Sequence, residues 1–147
     1  MPPPSAAIDI AAPASRVWEV LLALPEYPAW APFTVALRAG RVAAGERLEV
    51  DVQMAPGAAL QTQVMTVTAA APPRLAWTFT LLSPLLLHAE REQLVTPTGA
   101  ATCRYSTSDT MRGLLAPLVL ALYGASIARG FEALAAALKA RAEAGQQ

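Results

Sequence analysis

His88, Glu90 and Glu92 occupy alternate positions in one segment, and Tyr105, Thr107 and Asp109 do the same in another. On extended backbone, residues two apart share a face, so each set of three would be presented together. An imidazole beside a carboxylate can move protons to and from an enolisable carbon, and histidine is the side chain that ordinarily titrates near neutrality. His88 is the only histidine in the chain. If its face points inward, His88 and Glu90 form an acid/base pair. If it points outward, the three residues make an ordinary polar strand surface, with Arg91 and Gln93 on the other side. Tyr105, Thr107 and Asp109 share their face with Cys103 and Met111. Apolar bodies with polar tips are what a pocket uses to orient a mostly apolar ligand. The alternative is a solvated strand face with Tyr105 capping the core.

Other chemistries lack their residues. One histidine and one cysteine, fifteen positions apart, do not make a tetrahedral zinc site, so no metal is expected. No Gly-x-Gly-x-x-Gly follows the first strand, and there is neither a phosphate loop nor a Gly-x-Ser-x-Gly elbow, so no cofactor is expected. A serine triad would have to use His88, and no serine is marked as its partner. Eleven basic and eleven acidic residues give a formal charge of zero, which leaves no electrostatic footprint for nucleic acid. The single cysteine, Cys103, cannot form an internal disulfide, and a cytoplasmic setting is expected. The start Met1-Pro2-Pro3-Pro4-Ser5 reads as an extended tail without the basic residue and apolar run of a secretory signal. The chain length fits one domain, 1–147.

The elements that would position these residues follow from periodicity. Ile8 and Ile10 flank Asp9 in a short strand, and Pro13 suits the first position of a helix whose face is Val17, Val20, Leu21 and Leu24. Pro25 stops it, and the Glu26–Pro32 stretch holds at most a second short helix. Phe33, Val35 and Leu37 alternate before Gly40. Leu48, Val50, Val52 and Met54 alternate with polar residues before Pro56-Gly57. Leu60 to Thr68, Leu75 to Leu81, His88 to Val95 and Thr102 to Met111 follow, separated by Pro72-Pro73, Pro84 and Pro97-Thr98-Gly99. The last element is a long helix, taken as 114–143, with Ile127, Phe131, Leu134 and Leu138 on one stripe. Gly113 to Ala128 is apolar for sixteen residues but contains Pro117, Tyr123 and Ser126, and a spanning helix needs about 20, so a buried helix is expected and membrane contact is the minor alternative.

This order, with Ile8-Asp9-Ile10-Ala11-Ala12-Pro13, Val17-Trp18-Glu19-Val20-Leu21, Tyr27-Pro28-Ala29-Trp30-Ala31-Pro32, Pro73-Arg74-Leu75-Ala76-Trp77 and Gly113-Leu114-Leu115-Ala116-Pro117-Leu118, resembles the START-like helix-grip superfamily of birch-pollen-allergen-like carriers and polyketide cyclase/dehydrase-type proteins. The resemblance runs from about Ile8 to Leu138. It implies an α+β fold in which a curved antiparallel sheet of about six or seven strands grips the C-terminal helix, with two short helices after the first strand and an apolar cavity inside. The chain departs from many bacterial relatives at Trp30-Ala31-Pro32, where they carry Trp-Asn-Pro, and at Ala89-Glu90-Arg91, where they carry an aromatic residue just beyond the histidine.

The function expected on this basis is binding or carriage of a hydrophobic small molecule, a lipid, isoprenoid or polyketide-like compound. Trp30, Met54, Trp77, Phe79, His88, Tyr105 and Thr107 would contribute to the pocket wall, and Leu118, Leu122, Tyr123 and Ile127 to its helical side. Trp30, Met54, Met65, Trp77 and Phe79 would look the same in a solid core. The alternative is a polyketide cyclase or dehydratase with His88 or Asp109 as general base and Tyr105 as donor to a developing enolate. A third reading is an interaction module whose apolar exterior docks a protein or a membrane.

Overall fold

The computed structural model describes residues 3–31, 34–39, 42–52 and 61–144. Strand β1 (Ser5–Ile10) is followed by helix α1 (Ala14–Leu22) and a short 3-10 helix (Leu24–Ala29). Then come β2 (Thr34–Ala39), β3 (Arg47–Val52), β4 (Gln61–Ala71), β5 (Arg74–Leu81), β6 (Leu87–Gly99) and β7 (Thr102–Arg112), and α2 (Ala116–Ala144) ends the described chain. All seven strands form one antiparallel sheet in the order β1-β7-β6-β5-β4-β3-β2. Each of β2 to β6 pairs with its successor, and β1 returns to pair with β7. This is the expected α+β helix-grip arrangement. Phe33, Gly40, Met54 and Pro56-Gly57 lie outside the described residues.

Helix α1 buries Val17, Val20 and Leu21, the face its spacing presents. The Tyr27 hydroxyl donates to the Leu21 carbonyl at 2.7 Å, which satisfies one of the acceptors left open at the end of α1. The C-terminal half of α2 buries Phe131, Leu134, Ala135, Leu138 and Ala142. It is also tied to the far end of β1. Glu143 accepts from the Ala11 amide at 2.8 Å and from Lys139 at 2.5 Å, and Lys139 donates to the Asp9 carbonyl at 3.1 Å.

The N-terminal half of α2 departs from expectation. Leu114, Leu118, Leu122 and Tyr123 are 82 %, 55 %, 64 % and 58 % exposed, whereas Ile127 is half-buried. Leu118 and Leu122 were expected to share the pocket's helical side with Ile127, but Leu118 lies nine residues from Ile127 and Leu122 nine from Phe131, the next residue of the Ile127 stripe. Nine residues are two and a half helical turns, so the pairs point to opposite sides. The sheet takes the Ile127 and Phe131 side.

Helix α2 also starts later than expected, at Ala116. Gly113 adopts φ +109°, and the amides of Leu114 and Leu115 donate to the carbonyls of Leu85 and Leu86 at 3.0 and 2.9 Å. These two residues are committed to the β5–β6 connection before the helix begins. A Cβ on Gly113 would meet the Leu86 carbonyl oxygen at 2.5 Å, while one on Gly124, inside α2, would meet nothing within 4 Å. Gly113→Ala is therefore expected to lower unfolding free energy by about 1–3 kcal/mol, from the strained φ and the clash with backbone. Gly124→Ala is expected to raise it by about 0.5–1 kcal/mol, from helix propensity. Urea unfolding of the two variants checks both signs.

Candidate functional site

Side-chain direction along β6 decides which of the chemistry-bearing residues meet. Leu87, Arg91, Gln93 and Val95 share one parity, and Leu87, Gln93 and Val95 are buried. The Arg91 guanidinium lies 4.6 Å from the Phe131 ring centroid on α2 and 5.8 Å from that of Trp77 on β5, so this parity faces the helix. His88, Glu90 and Glu92 therefore point to the outer surface. His88 Nδ1 is 2.8 Å from Thr80 Oγ1 in an exposed contact. Arg74 forks onto Glu90 and Glu92, with both contacts at 2.6 Å. His88 was expected as a pocket wall or general base; the pleat of β6 puts it on the side away from α2, among polar surface residues.

The neighbouring strand delivers its set inward. Cys103, Tyr105 and Thr107 are buried, and Asp109 is partly buried. The register pairs Arg91 with Asp109, Gln93 with Thr107 and Val95 with Tyr105. Directly opposed side chains on one face lie about 5 Å apart at Cβ, so these polar groups form one patch. The Tyr105 hydroxyl donates to Gln93 Oε1, and Arg91 Nε donates to Thr107 Oγ1 at 3.2 Å. On the adjoining strand, Trp77 is buried and Phe79 half-buried, which gives the patch an aromatic flank. The Trp30 ring packs tilted against Tyr27, centroids 4.9 Å apart, and the Tyr27 hydroxyl feels both Tyr105 and Arg91.

Several polar atoms of this patch are buried without a hydrogen-bond partner among the described residues: Arg91 Nη2, Gln93 Nε2 and Asp109 Oδ1, with Trp30 Nε1 near Tyr27. An unsatisfied buried polar group costs about 1–3 kcal/mol, and more when it is charged. Three on one small inner patch mark a place where another molecule's polar atoms would fit. Burial lifts the Asp109 carboxyl to about 6, opposed by the Arg91 charge. Burial also holds the Tyr105 and Tyr27 phenols above their ordinary range. Together the patch offers a cation, an amide donor and a carboxyl that changes charge in mildly acidic solution.

Of the residues expected to line a pocket, Trp77, Phe79, Tyr105, Thr107 and Asp109 gather on this inner face, with Trp30 at the end of the 3-10 helix. Leu118, Leu122 and Tyr123 do not join them, and Met54 lies outside the described residues. Arg91 and Gln93 were not singled out in the sequence. The available signal was parity: they alternate in step with Leu87, Ala89 and Val95, whereas the His88 parity is polar from His88 to Glu92.

The raised Asp109 carboxyl has a consequence for stability. A folded-state value above the ordinary carboxyl value makes the protonated form the favoured one in the fold. Asp109 then costs nothing below about pH 4, and its ionisation destabilises the fold as pH rises through about 6. Relative to Asp109→Asn, the wild type is expected to lose on the order of 2–3 kcal/mol between pH 4 and pH 7. Chemical denaturation of both proteins across that range tests it; parallel profiles would remove the buried carboxyl from the account.

Comparisons with known proteins agree with this architecture. The family described as polyketide cyclase / dehydrase and lipid transport matches residues 4–143. Among solved structures, the Zhui aromatase/cyclase from Streptomyces sp. R1128 superposes with TM-score 0.77 at 18 % identity, covering 97 % of this chain and 94 % of that one. A START superfamily protein from Mycobacterium smegmatis gives 0.67 at 19 % identity over 95 % and 96 %. Norcoclaurine synthase from Thalictrum flavum gives 0.67 at 17 % over 97 % and 94 %. At such identities the likeness is one of fold. Comparison with curated protein sequences gives no match.

Proposed function

The chain belongs to the polyketide cyclase / dehydrase and lipid transport family, and on that premise we propose that it binds a mostly apolar small molecule between the sheet and α2. The ligand would be a lipid, isoprenoid or polyketide-like compound with an oxygen-bearing group. The observation that carries this reading is the set of unpartnered buried donors, Arg91 Nη2 and Gln93 Nε2, on an otherwise aromatic and aliphatic inner face. Most of the affinity would come from apolar burial, about 25 cal/mol per Å² removed from water. The ligand's oxygen would take the donors that the fold leaves open, and Trp77 and Phe79 would bear on its apolar body. The expected setting is the cytoplasm.

Arg91 suits an orienting role because its position is already held. Its Nε is bonded to Thr107, and its guanidinium lies near two aromatic rings. An incoming carbonyl, phenol or carboxylate meets a guanidinium that loses little rotamer freedom on binding. A panel of fatty acids, isoprenyl alcohols and hydroxyanthraquinones is expected to contain members that raise the melting temperature. Arg91→Met is expected to weaken those binders by roughly 10- to 100-fold, as for loss of a charged hydrogen bond. No thermal shift from any compound, together with no lipophilic compound extracted from the purified protein, would sink the proposal.

A second reading is favoured by the raised carboxyl of Asp109 directly across from Arg91. A carboxylate titrating near the working pH is a competent general base, and a guanidinium opposite it would stabilise the enolate oxygen that proton abstraction creates. This is cyclase or dehydratase chemistry with Asp109 as base. Gln93 would serve as the second donor instead of Tyr105, whose hydroxyl is already given to Gln93. The expected signature is protein-catalysed deuterium exchange at the central carbon of a cyclic 1,3-diketone, reduced by about 10²- to 10⁴-fold in Asp109→Asn. Equal exchange in the two proteins would leave binding alone as the function.

A further inference from the structure

Among the described residues, most of the large exposed apolar side chains lie on two adjoining segments. Leu82 and Leu85, on the β5–β6 connection, are 89 % and 80 % exposed, and Leu114, Leu118, Leu122 and Tyr123 continue the surface onto α2. The backbone joins the two parts, since the Leu114 and Leu115 amides bond to the Leu85 and Leu86 carbonyls. On α2, Leu118, Leu122, Ala125 and Arg129 fall on one outward stripe, opposite the stripe that packs on the sheet. The helix is thus apolar on both sides over its first turns.

From these observations we infer that this surface is a lipid-docking surface for membranes carrying anionic headgroups. Charge on the two segments that build it argues for such a partner. Residues 79–89 and 110–131 contain no aspartate or glutamate, and their charged side chains are Arg112 and Arg129, both exposed. Arg112 sits on the outer side of the sheet, opposite His88 in register, and Arg129 sits on the outward stripe of α2. Cations therefore flank the leucines on both layers, where phosphate headgroups would lie when the leucines enter the acyl region. Leu82 projects at φ +62°, almost fully exposed. A projecting tip needs a matching hollow in a protein partner, whereas acyl chains close around it. Tyr123 adds an amphipathic ring of the kind that settles at headgroup depth.

This surface is separate from the inner polar patch, so its test does not depend on ligand binding. The full chain is expected to float with mixed phosphatidylcholine and phosphatidylglycerol vesicles and more weakly with phosphatidylcholine alone. Leu82→Asp and Leu118→Asp are each expected to reduce vesicle binding by roughly tenfold or more with unchanged melting temperature, because both side chains are solvent-exposed in the free protein. Arg112→Gln and Arg129→Gln should each cost about fivefold on the anionic vesicles only. Arg91→Met should float like the wild type. The inference is overturned if the wild type floats with neither vesicle, if the leucine variants bind as well as it does, or if light scattering shows a dimer that Leu118→Asp separates.

Discussion

Burial of Leu134, Leu138 and Ala142 in the main core is the contact on which the rest of the fold hangs. The three residues belong to the same apolar cluster as Ile10 on β1, Val17 and Leu21 on α1, and Tyr105 on β7. The first strand, the first helix and the last helix are therefore secured together, although they are far apart in sequence. The Lys139 and Glu143 contacts with Asp9 and Ala11 fasten the same end with polar groups. Toward its N-terminus, among the described residues, α2 buries only Ala116; Leu120 and Gly124 are half-buried, and the outward positions there are apolar and exposed. One end of the helix is pinned in the core, and much of the other end's surface is uncovered.

Against that frame, the inner patch is a local conflict that the fold tolerates. A guanidinium, an amide and a carboxyl sit among aromatic and aliphatic side chains, with part of their hydrogen-bonding capacity unused. Only some of the patch is internally satisfied. Tyr105 donates to the Gln93 oxygen, and Thr107 accepts from Arg91. Contacts of Arg91 near Phe131 and Trp77 offset a further part of its desolvation, since aromatic faces attract cations. What remains open points to one small region. Such departures from full satisfaction are where functional sites are expected to lie.

The order and type of the elements were legible because each depends on local pattern: alternation for strands, 3.6-residue spacing for α1, and proline or glycine at the breaks. The grouping of Tyr105, Thr107 and Asp109 on one face was legible for the same reason. What alternation leaves open is which side of a strand faces the core. On β6 that question separates Arg91 and Gln93 from His88, and chemical interest in the histidine drew attention to the outer side. The apolar positions at 87, 89 and 95 carried the answer. For α2, Leu118 and Leu122 were grouped with Ile127 and Phe131 although nine residues place them half a turn apart. The delayed start of the helix rests on backbone bonds to a hairpin distant in sequence, which periodicity cannot reveal.

The unequal burial of α2 divides one continuous element into two regions under different demands. Substitutions in the turns around Leu134 and Leu138 disturb the core that joins both ends of the chain. Substitutions around Leu118 and Leu122 alter a surface and leave that core untouched. Stability is thus borne by one set of turns of the helix, and the turns that carry little of it are free to vary. A scaffold partitioned in this way can change its surface through a few residues while its folding remains secure, in keeping with solved structures that share this architecture at 18 and 19 % identity.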